Sequence, residues 1–273
     1  MDQNLVAAAL ADLPFGSIRY FDRLDSTNNE AARWVEAGAP DMALVIADEQ
    51  TAGKGRAGRS WLTLPGAALA FSLVLYPLQD EVELLPRLAA LGALAIYDTL
   101  KSNSALRVEV KWPNDILANR RKLAGVLAEA QWRGSQLASA ILGIGINITP
   151  ASIPEEALPA EALIFPATSL EAELHESVDR LQLLHDVLEN LVTRRSRLAR
   201  PELIRDWELA LAFRGEWVQI IPGQPANPGE IGSPQAWECQ VLGLHPDGSL
   251  KVMARSGETI AVRAGDIRLR PVV

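Results

Sequence analysis

The alternation of apolar and polar residues divides the chain into a long mixed region and a shorter, strand-rich one. Residues 1–13 place Leu5, Val6, Ala9, Leu10 and Leu13 on one stripe, which predicts an amphipathic helix. Arg19–Leu24 reads as a strand, and Thr27-x-x-Glu30 reads as a capping box opening a helix with Ala31, Trp34 and Val35 inward. Ala43–Ala47 is a short apolar run of the kind that forms a buried strand. Stretches at Ala68–Tyr76, Arg107–Trp112, Leu123–Glu129 and Ala138–Ile148 predict further strands, and Leu84–Leu100 has helical spacing. A stretch punctuated by Pro150, Pro154, Pro159 and Pro166 reads as loop. Helices are expected at 171–198, opened by Thr168-x-x-Glu171, and at 202–213. There are no repeats and no heptads.

After Phe213 the texture changes. Short strands at Glu216–Ile221, Glu238–Leu244, Leu250–Ala254, Thr259–Arg263 and Ile267–Arg270 are separated by turn signals at Pro246-Asp247-Gly248 and Ser256-Gly257. The first connection, residues 222–235, is rich in glycine and proline and predicts a mobile loop. The expected organisation is therefore a mixed α/β domain over 1–213 and a small all-β domain over 214–273.

Composition narrows the function. The 273 residues are 48% hydrophobic and 22% charged, enough apolar material for a sizeable core. A formal charge of −8 argues against broad binding to nucleic acid or anionic membranes. One cysteine, Cys239, and three scattered histidines, His175, His185 and His245, argue against a disulfide framework and a Cys/His metal site. No Lys or Arg precedes Arg19, so the start lacks the basic region of a signal peptide, and the uncharged run Ala67–Leu78 is too short to cross a bilayer. The expectation is a cytoplasmic protein with no membrane or nucleic-acid partner.

Against this acidic background, Lys54, Arg56 and Arg59 are the only charged residues between Gln50 and Gln79, interleaved with Gly53, Gly55 and Gly58. Glycine lets backbone N–H groups approach an anion, and guanidinium forks match phosphate. Gly53-x4-Gly58-Arg59-Ser60 has the spacing of a P-loop, but a strand-like sequence follows where a P-loop must open a helix. Gly143-x-Gly145 lacks the third glycine of a dinucleotide fingerprint. A nucleotide is expected, in neither of these two cradles.

Several segments together resemble biotin–protein ligases: Ser-Thr-Asn at 26–28, Gly-Lys-Gly-Arg-Ala-Gly-Arg-Ser-Trp at 53–61, Lys-Trp-Pro-Asn-Asp at 111–115, Lys-Leu-Ala-Gly at 122–125 and Gly-Ile-Gly-Ile-Asn at 143–147. Thr-Ser-Leu at 168–170 and the closing Ala-Gly-Asp-Ile-Arg-Leu-Arg also match. The resemblance implies a mixed sheet related to class II aminoacyl-tRNA synthetases, followed by an SH3-like β-barrel. It implies an enzyme that uses ATP and Mg2+ to convert biotin to biotinyl-5′-AMP, then transfers biotin to a lysine of a biotin carboxyl carrier domain. By the same resemblance, Ser26, Thr27, Asn28, Gln50, Gly53 and Gly125 would surround biotin. Lys54, Gly55 and Arg56 would close over biotin and the α-phosphate. Arg59, Trp61, Asn114 and Asn147 would serve the nucleotide, with Lys122 between carboxylate and phosphate. The family loop commonly has arginine where Lys54 and Ala57 stand. Members often dimerise edge to edge through the central sheet, so a homodimer is implied as well.

The chemistry explains why no obvious catalytic histidine or serine is present. A valerate carboxylate with a pKa of about 4–5 is already ionised at neutral pH and needs no general base. The obstacle is repulsion between two anions, which positioned cations remove; Lys122 and Arg56 are the candidates. In the transfer step an acceptor lysine is mostly protonated, and Asp115 is the carboxylate to orient or deprotonate it. Lys111 is the cation to depress the amine's pKa or steady the leaving phosphate. A lipoate–protein ligase shares this logic with a different acyl pocket. A biotin-responsive repressor would need an amino-terminal DNA-binding domain, for which the 25 residues before Ser26 are too few.

Overall fold

A computed structural model describes residues 1–76, 85–134, 136–153, 166–222, 237–263 and 267–271. Its helices are α1 (Gln3–Ala9), α2 (Thr27–Glu36), α3 (Leu85–Leu100), α4 (Leu170–Leu174), α5 (Arg180–Arg195) and α6 (Pro201–Leu209). The first seven strands are β1 (Ile18–Leu24), β2 (Leu44–Gln50), β3 (Ala68–Leu75), β4 (Val108–Lys111), β5 (Asp115–Ala118), β6 (Arg121–Arg133) and β7 (Gln136–Asn147). They form one mixed sheet in the order β1-β2-β3-β7-β6-β5-β4, in which β1–β2 is parallel and the remaining pairs are antiparallel. Strands β8 (Trp217–Pro222), β9 (Trp237–Leu244), β10 (Leu250–Ala254), β11 (Thr259–Val262) and β12 (Ile267–Pro271) form a second, antiparallel sheet in the order β11-β10-β9-β8-β12.

The period-2 rule distributes the residues of the large sheet between its two faces. Leu69, Phe71, Leu73 and Leu75 of β3 and Ala140, Leu142, Ile144 and Ile146 of β7 join the main core with α3, α5 and α6. On the opposite face, Val45, Val74 and Ile141 pack under Ala31 and Trp34 of α2. Farther along that face the strands carry Ser72, Gly143, Gly145, Gly125 and Asp115, and there the site lies.

Most expected elements are present, with informative differences. Strand β5 was not anticipated, because four residues between two turns carry too little periodicity. The helix expected at 171–198 is two helices: His175 adopts a left-handed backbone that ends α4, and the Asp179 side chain caps α5 by accepting from Leu181 N and Gln182 N. Neither proposed capping box forms. Ser26 and Ser169 occupy the cap positions without side-chain cap bonds, while the Thr27 and Thr168 hydroxyls bond elsewhere. Leu5 is half exposed, so Val6 and Leu10 alone of its stripe are buried. Most of the proline-punctuated stretch and residues 223–235 of the glycine- and proline-rich loop lie outside the described residues. Buried Cys239, on β9, has its thiol pushed up to about 11 by desolvation, as suits a small strand residue.

The second sheet is not a loose appendage. One apolar cluster runs from Val6 through Phe213 to Val218, Val241, Leu250 and Val252. Trp112, at 2% exposure, donates its indole N–H to the Gly248 carbonyl at 3.0 Å in the β9–β10 turn. Arg87 of α3 donates to Leu198 O and to Pro246 O of the same turn. Gly248 has φ +84°, and a Cβ there would come within 3.1 Å of the Trp207 ring. Gly248→Ala is therefore expected to lower unfolding free energy by about 1–2 kcal/mol from the backbone alone, measured by denaturant titration; an unchanged midpoint would contradict this account of the turn.

Candidate functional site

The site is built on a row of very small residues. Ala70 pairs with Gly145, Gly145 with Gly125, and Gly125 with Asp115, straight across β3, β7, β6 and β5. The parallel row runs from Ser72 to Gly143 to Leu127. A Cβ at Gly145 would sit 2.4 Å from the Trp61 indole, and one at Gly125 3.2 Å from it, so the two glycines form a slot that the ring fills. A Cβ at Gly143 would sit 2.1 Å from Asn28 Oδ1. The spacing Gly143-x-Gly145 was in the sequence, and two residues apart on a strand means one face. That signal could have identified both glycines as site residues.

One end of the bed is neutral and polar. Gln50 Oε1 accepts from Thr27 N at 2.8 Å and from Thr27 Oγ1 at 3.1 Å, and Gln50 Nε2 donates to Thr63 Oγ1 at 2.9 Å. The fully buried Ser72 hydroxyl lies 2.7 Å from Thr27 Oγ1 and 2.6 Å from Asn28 Oδ1. Asn28 Nδ2 donates to Glu129 Oε2 at 2.6 Å. Burying these groups is tolerable because they satisfy one another. Ser72 and Glu129 were missed by sequence reasoning. Ser72 is a lone polar residue on a strand's second face, and Glu129 lies in an apolar stretch.

The other end is cationic. The β4–β5 turn brings Lys111 and Asp115 into register, and β6 supplies Lys122. Asp115 Oδ2 lies 3.1 Å from Lys111 Nζ, and Oδ1 lies 2.7 Å from Lys122 Nζ. Burial alone would raise the Asp115 pKa, but Lys122 and then Lys111 outweigh it and hold the carboxyl well below its usual range. Burial pulls Lys111 below its ordinary value, against the attraction of Asp115. Lys122 Nζ also stands 5.7 Å from the Trp61 ring centroid.

The glycine-rich segment arches over both ends. It is pinned by Gln50 N to Thr63 O at 3.1 Å, Trp61 N to Gly53 O at 2.8 Å and Gly55 N to Arg59 O at 2.6 Å. Arg56 Nη1 donates to Asn114 Oδ1 at 3.1 Å, while Asn114 Nδ2 donates to Val126 O at 2.6 Å. Lys54 Nζ lies 3.9 Å from Glu129 Oε1.

Together these groups enclose a cavity of about 570 Å³ lined by Ser26, Thr27, Asn28, Gln50, Lys54, Gly55, Arg56, Arg59, Trp61, Lys111, Asn114, Asp115, Lys122, Gly125 and Asn147. Every site residue expected from sequence is there except Gly53, which lines a second cavity of about 640 Å³ against the same loop. Asn147 finds its partner within the chain, donating to Thr168 O at 3.0 Å. The two tryptophans part company: Trp112 is core, whereas the Trp61 indole N–H is buried with no hydrogen-bond partner. Such a cavity can hold an uncharged polar head group at one end and two anions at the other.

The profile of the Biotin/lipoate A/B protein ligase family matches residues 20–147. A bifunctional ligase/repressor of Bacillus subtilis is 36% identical over 171 residues, which is 62% of this chain and 50% of that relative. The chain thus spans about half the length of the Bacillus proteins it matches. A biotin–[acetyl-CoA-carboxylase] ligase of Mycobacterium tuberculosis is 31% identical over 253 residues, 89% of this chain and 85% of the relative. The structure of an Aquifex aeolicus biotin protein ligase with biotin and ATP is similar at a TM-score of 0.75 and 25% identity, covering 94% of this chain and all of that one.

The Asp115 cluster makes a pH prediction. Because its folded pKa is depressed, Asp115 adds stability that is fully present above the unfolded value of about 4 and is lost as pH falls toward the folded one. The difference in unfolding free energy between wild type and Asp115→Asn should therefore be flat from pH 7 to about 4 and shrink below that. A difference equal at pH 3 and pH 7 would contradict the assignment.

Proposed function

This chain belongs to the biotin protein ligase family, and we propose that it activates biotin with ATP to biotinyl-5′-AMP and then biotinylates a lysine of a carboxyl carrier domain. The observation that carries this reading is one cavity holding a neutral polar pocket at one end and Lys122, Lys111, Arg56 and Arg59 at the other.

The neutral end favours biotin over lipoate. Biotin's ureido ring has two N–H donors and a carbonyl acceptor, which amide and hydroxyl groups of Thr27, Asn28, Gln50 and Ser72 can meet in part by exchanging their mutual bonds. A dithiolane ring has no such groups and would leave buried polar atoms without partners. Ser26 borders this pocket, Gly125 lies farther along the cavity beside Lys122 and Asp115, where biotin's side chain would run, and Gly53 shapes the loop behind the head group.

At the cationic end a biotin carboxylate oxygen attacks the α-phosphorus of ATP, and the bond from that phosphorus to the bridging oxygen breaks to release pyrophosphate. Lys122 and Arg56 screen the two anions and stabilise charge as it spreads over the phosphate oxygens. Lys54 and Gly55 complete the cover, excluding water from the mixed anhydride. Arg59, Trp61, Asn114 and Asn147 hold the nucleotide, Trp61 through the ring that lies over Gly145 and Gly125. In the second step the carrier's amine attacks as the free base, the bond from the acyl carbon to the phosphate oxygen breaks, AMP leaves, and the amine's surplus proton passes to solvent. Asp115, kept ionised by two ammoniums, is a weak base; its part is to fix Lys122 and Lys111 beside the leaving phosphate.

These residues do not make a protein-held magnesium site. Among the described residues Asp115 is the only carboxylate that lines the cavity, and each of its oxygens faces a lysine. Magnesium would enter with ATP as its phosphate complex, where it would neutralise phosphate charge.

We assign residues 1–213 to the ligase domain and 214–273 to an SH3-like barrel, which the second antiparallel sheet supports. Past Val126, β6 pairs only with β7 among the described residues and carries exposed Trp132; we place edge-to-edge dimerisation or carrier docking there.

A biotin carboxyl carrier domain incubated with this protein, biotin and MgATP should gain one biotinyl group on one lysine by mass spectrometry, and none when lipoate replaces biotin. No modification with biotin, or equal modification with lipoate, would overturn the reading.

A further inference from the structure

Glu173 is a buried carboxylate that the chemistry above does not use. It sits on α4, outside the cavity lining, and its side chain is 2% exposed. Three donors from two segments converge on it. Arg121, the residue before Lys122, donates from Nη2 at 2.7 Å; Asn119, in the β5–β6 turn, donates from Nδ2 at 2.8 Å; and the Thr168 hydroxyl bonds Oε1. Burial would raise its pKa, but Thr168, Asn119 and Arg121 together hold it below the ordinary value.

What these donors are attached to gives the arrangement its meaning. Thr168 N donates to Lys122 O at 2.8 Å and Lys122 N to Pro166 O at 2.9 Å, so segment 166–168 pairs with the start of β6. Between those two bonds Ala167 lines the cavity. The Thr168 carbonyl receives the Asn147 amide. One carboxylate therefore ties the backbone carrying Lys122 to the wall that anchors Asn147.

We infer that Glu173 is a positioning residue for the nucleotide half of the site, fixing the Ala167–Asn147 wall against the start of β6 through Thr168 and Arg121. The claim rests on the ligase reading and extends it. Thr27, Asn28, Gln50 and Ser72 share no bond with this network among the described residues, so the head-group pocket is expected to be indifferent to it. A carboxylate suits the task because it offers lone pairs to three donors at once. Glutamine keeps the size but turns one acceptor oxygen into a donor facing donors.

The test is biotin-dependent pyrophosphate exchange, with KM measured separately for ATP and for biotin. Glu173→Gln should raise the ATP KM about tenfold or more while biotin's stays within about twofold. Thr168→Val should give the same split, and Thr168→Ser, which keeps the hydroxyl, should restore the ATP KM. Loss of stability alone would lower the active fraction and leave both KM values in place. Thr168→Val also decides the question if Glu173→Gln does not fold. Wild-type exchange with no ATP shift in either variant, a parallel rise in both KM values, or failure of Thr168→Ser to rescue would overturn the inference alone. Absence of exchange in the wild type would overturn the functional reading and this one with it.

Discussion

Asp115 stands between Lys111 and Lys122 with one oxygen toward each, and much of the surrounding structure follows from keeping that trio in place. A charge removed from water must be paired, and removing one partner of such a set leaves the others exposed to the full penalty of burial. Two ammoniums around one carboxylate leave a net positive charge at the wall of the cavity, with Arg56 and Arg59 lining it too. That surplus is what two anionic reactants require. It also keeps the Asp115 carboxyl ionised, which makes it a better anchor than proton acceptor.

Holding the trio close to substrate demands a sheet face with almost no side chains. The row Ala70–Gly145–Gly125–Asp115 provides it, and Trp61 fills the slot between strand and loop. The reverse face of the same strands is continuously apolar, so β7 reads as an ordinary buried strand until its glycines are assigned to one side. Strand pleat thus separates packing from chemistry: Leu142 and Ile146 pack, while Gly143, Gly145 and Asn147 serve the cavity.

The sequence made much of this legible, for identifiable reasons. Period-2 and helical patterns found the long elements, and the cationic, glycine-rich loop stood out because the rest of the chain is acidic. What failed was local reasoning where tertiary bonds took over. Thr27 and Thr168 look like helix caps, yet one hydroxyl bonds Gln50 and the other Glu173, each more than a helical turn away in contact or in purpose. Asp115 follows Pro-Asn in the sequence and is the first residue of β5, a four-residue strand too short to leave a pattern of its own. Trp112 is surrounded in sequence by site residues but turns into the apolar core, where its indole N–H meets the Gly248 carbonyl of the β9–β10 turn. That contact also joins the carboxy-terminal sheet to the corner that carries Lys111 and Asp115.

The account is tested most directly by the single-turnover rate of acyl-adenylate formation from biotin and MgATP in wild type and Lys122→Ala. Loss of the cation should slow the step by roughly 100-fold or more, with circular dichroism showing the fold retained. Adenylate forming at a near-normal rate in the variant would contradict the idea that this lysine joins the two anions.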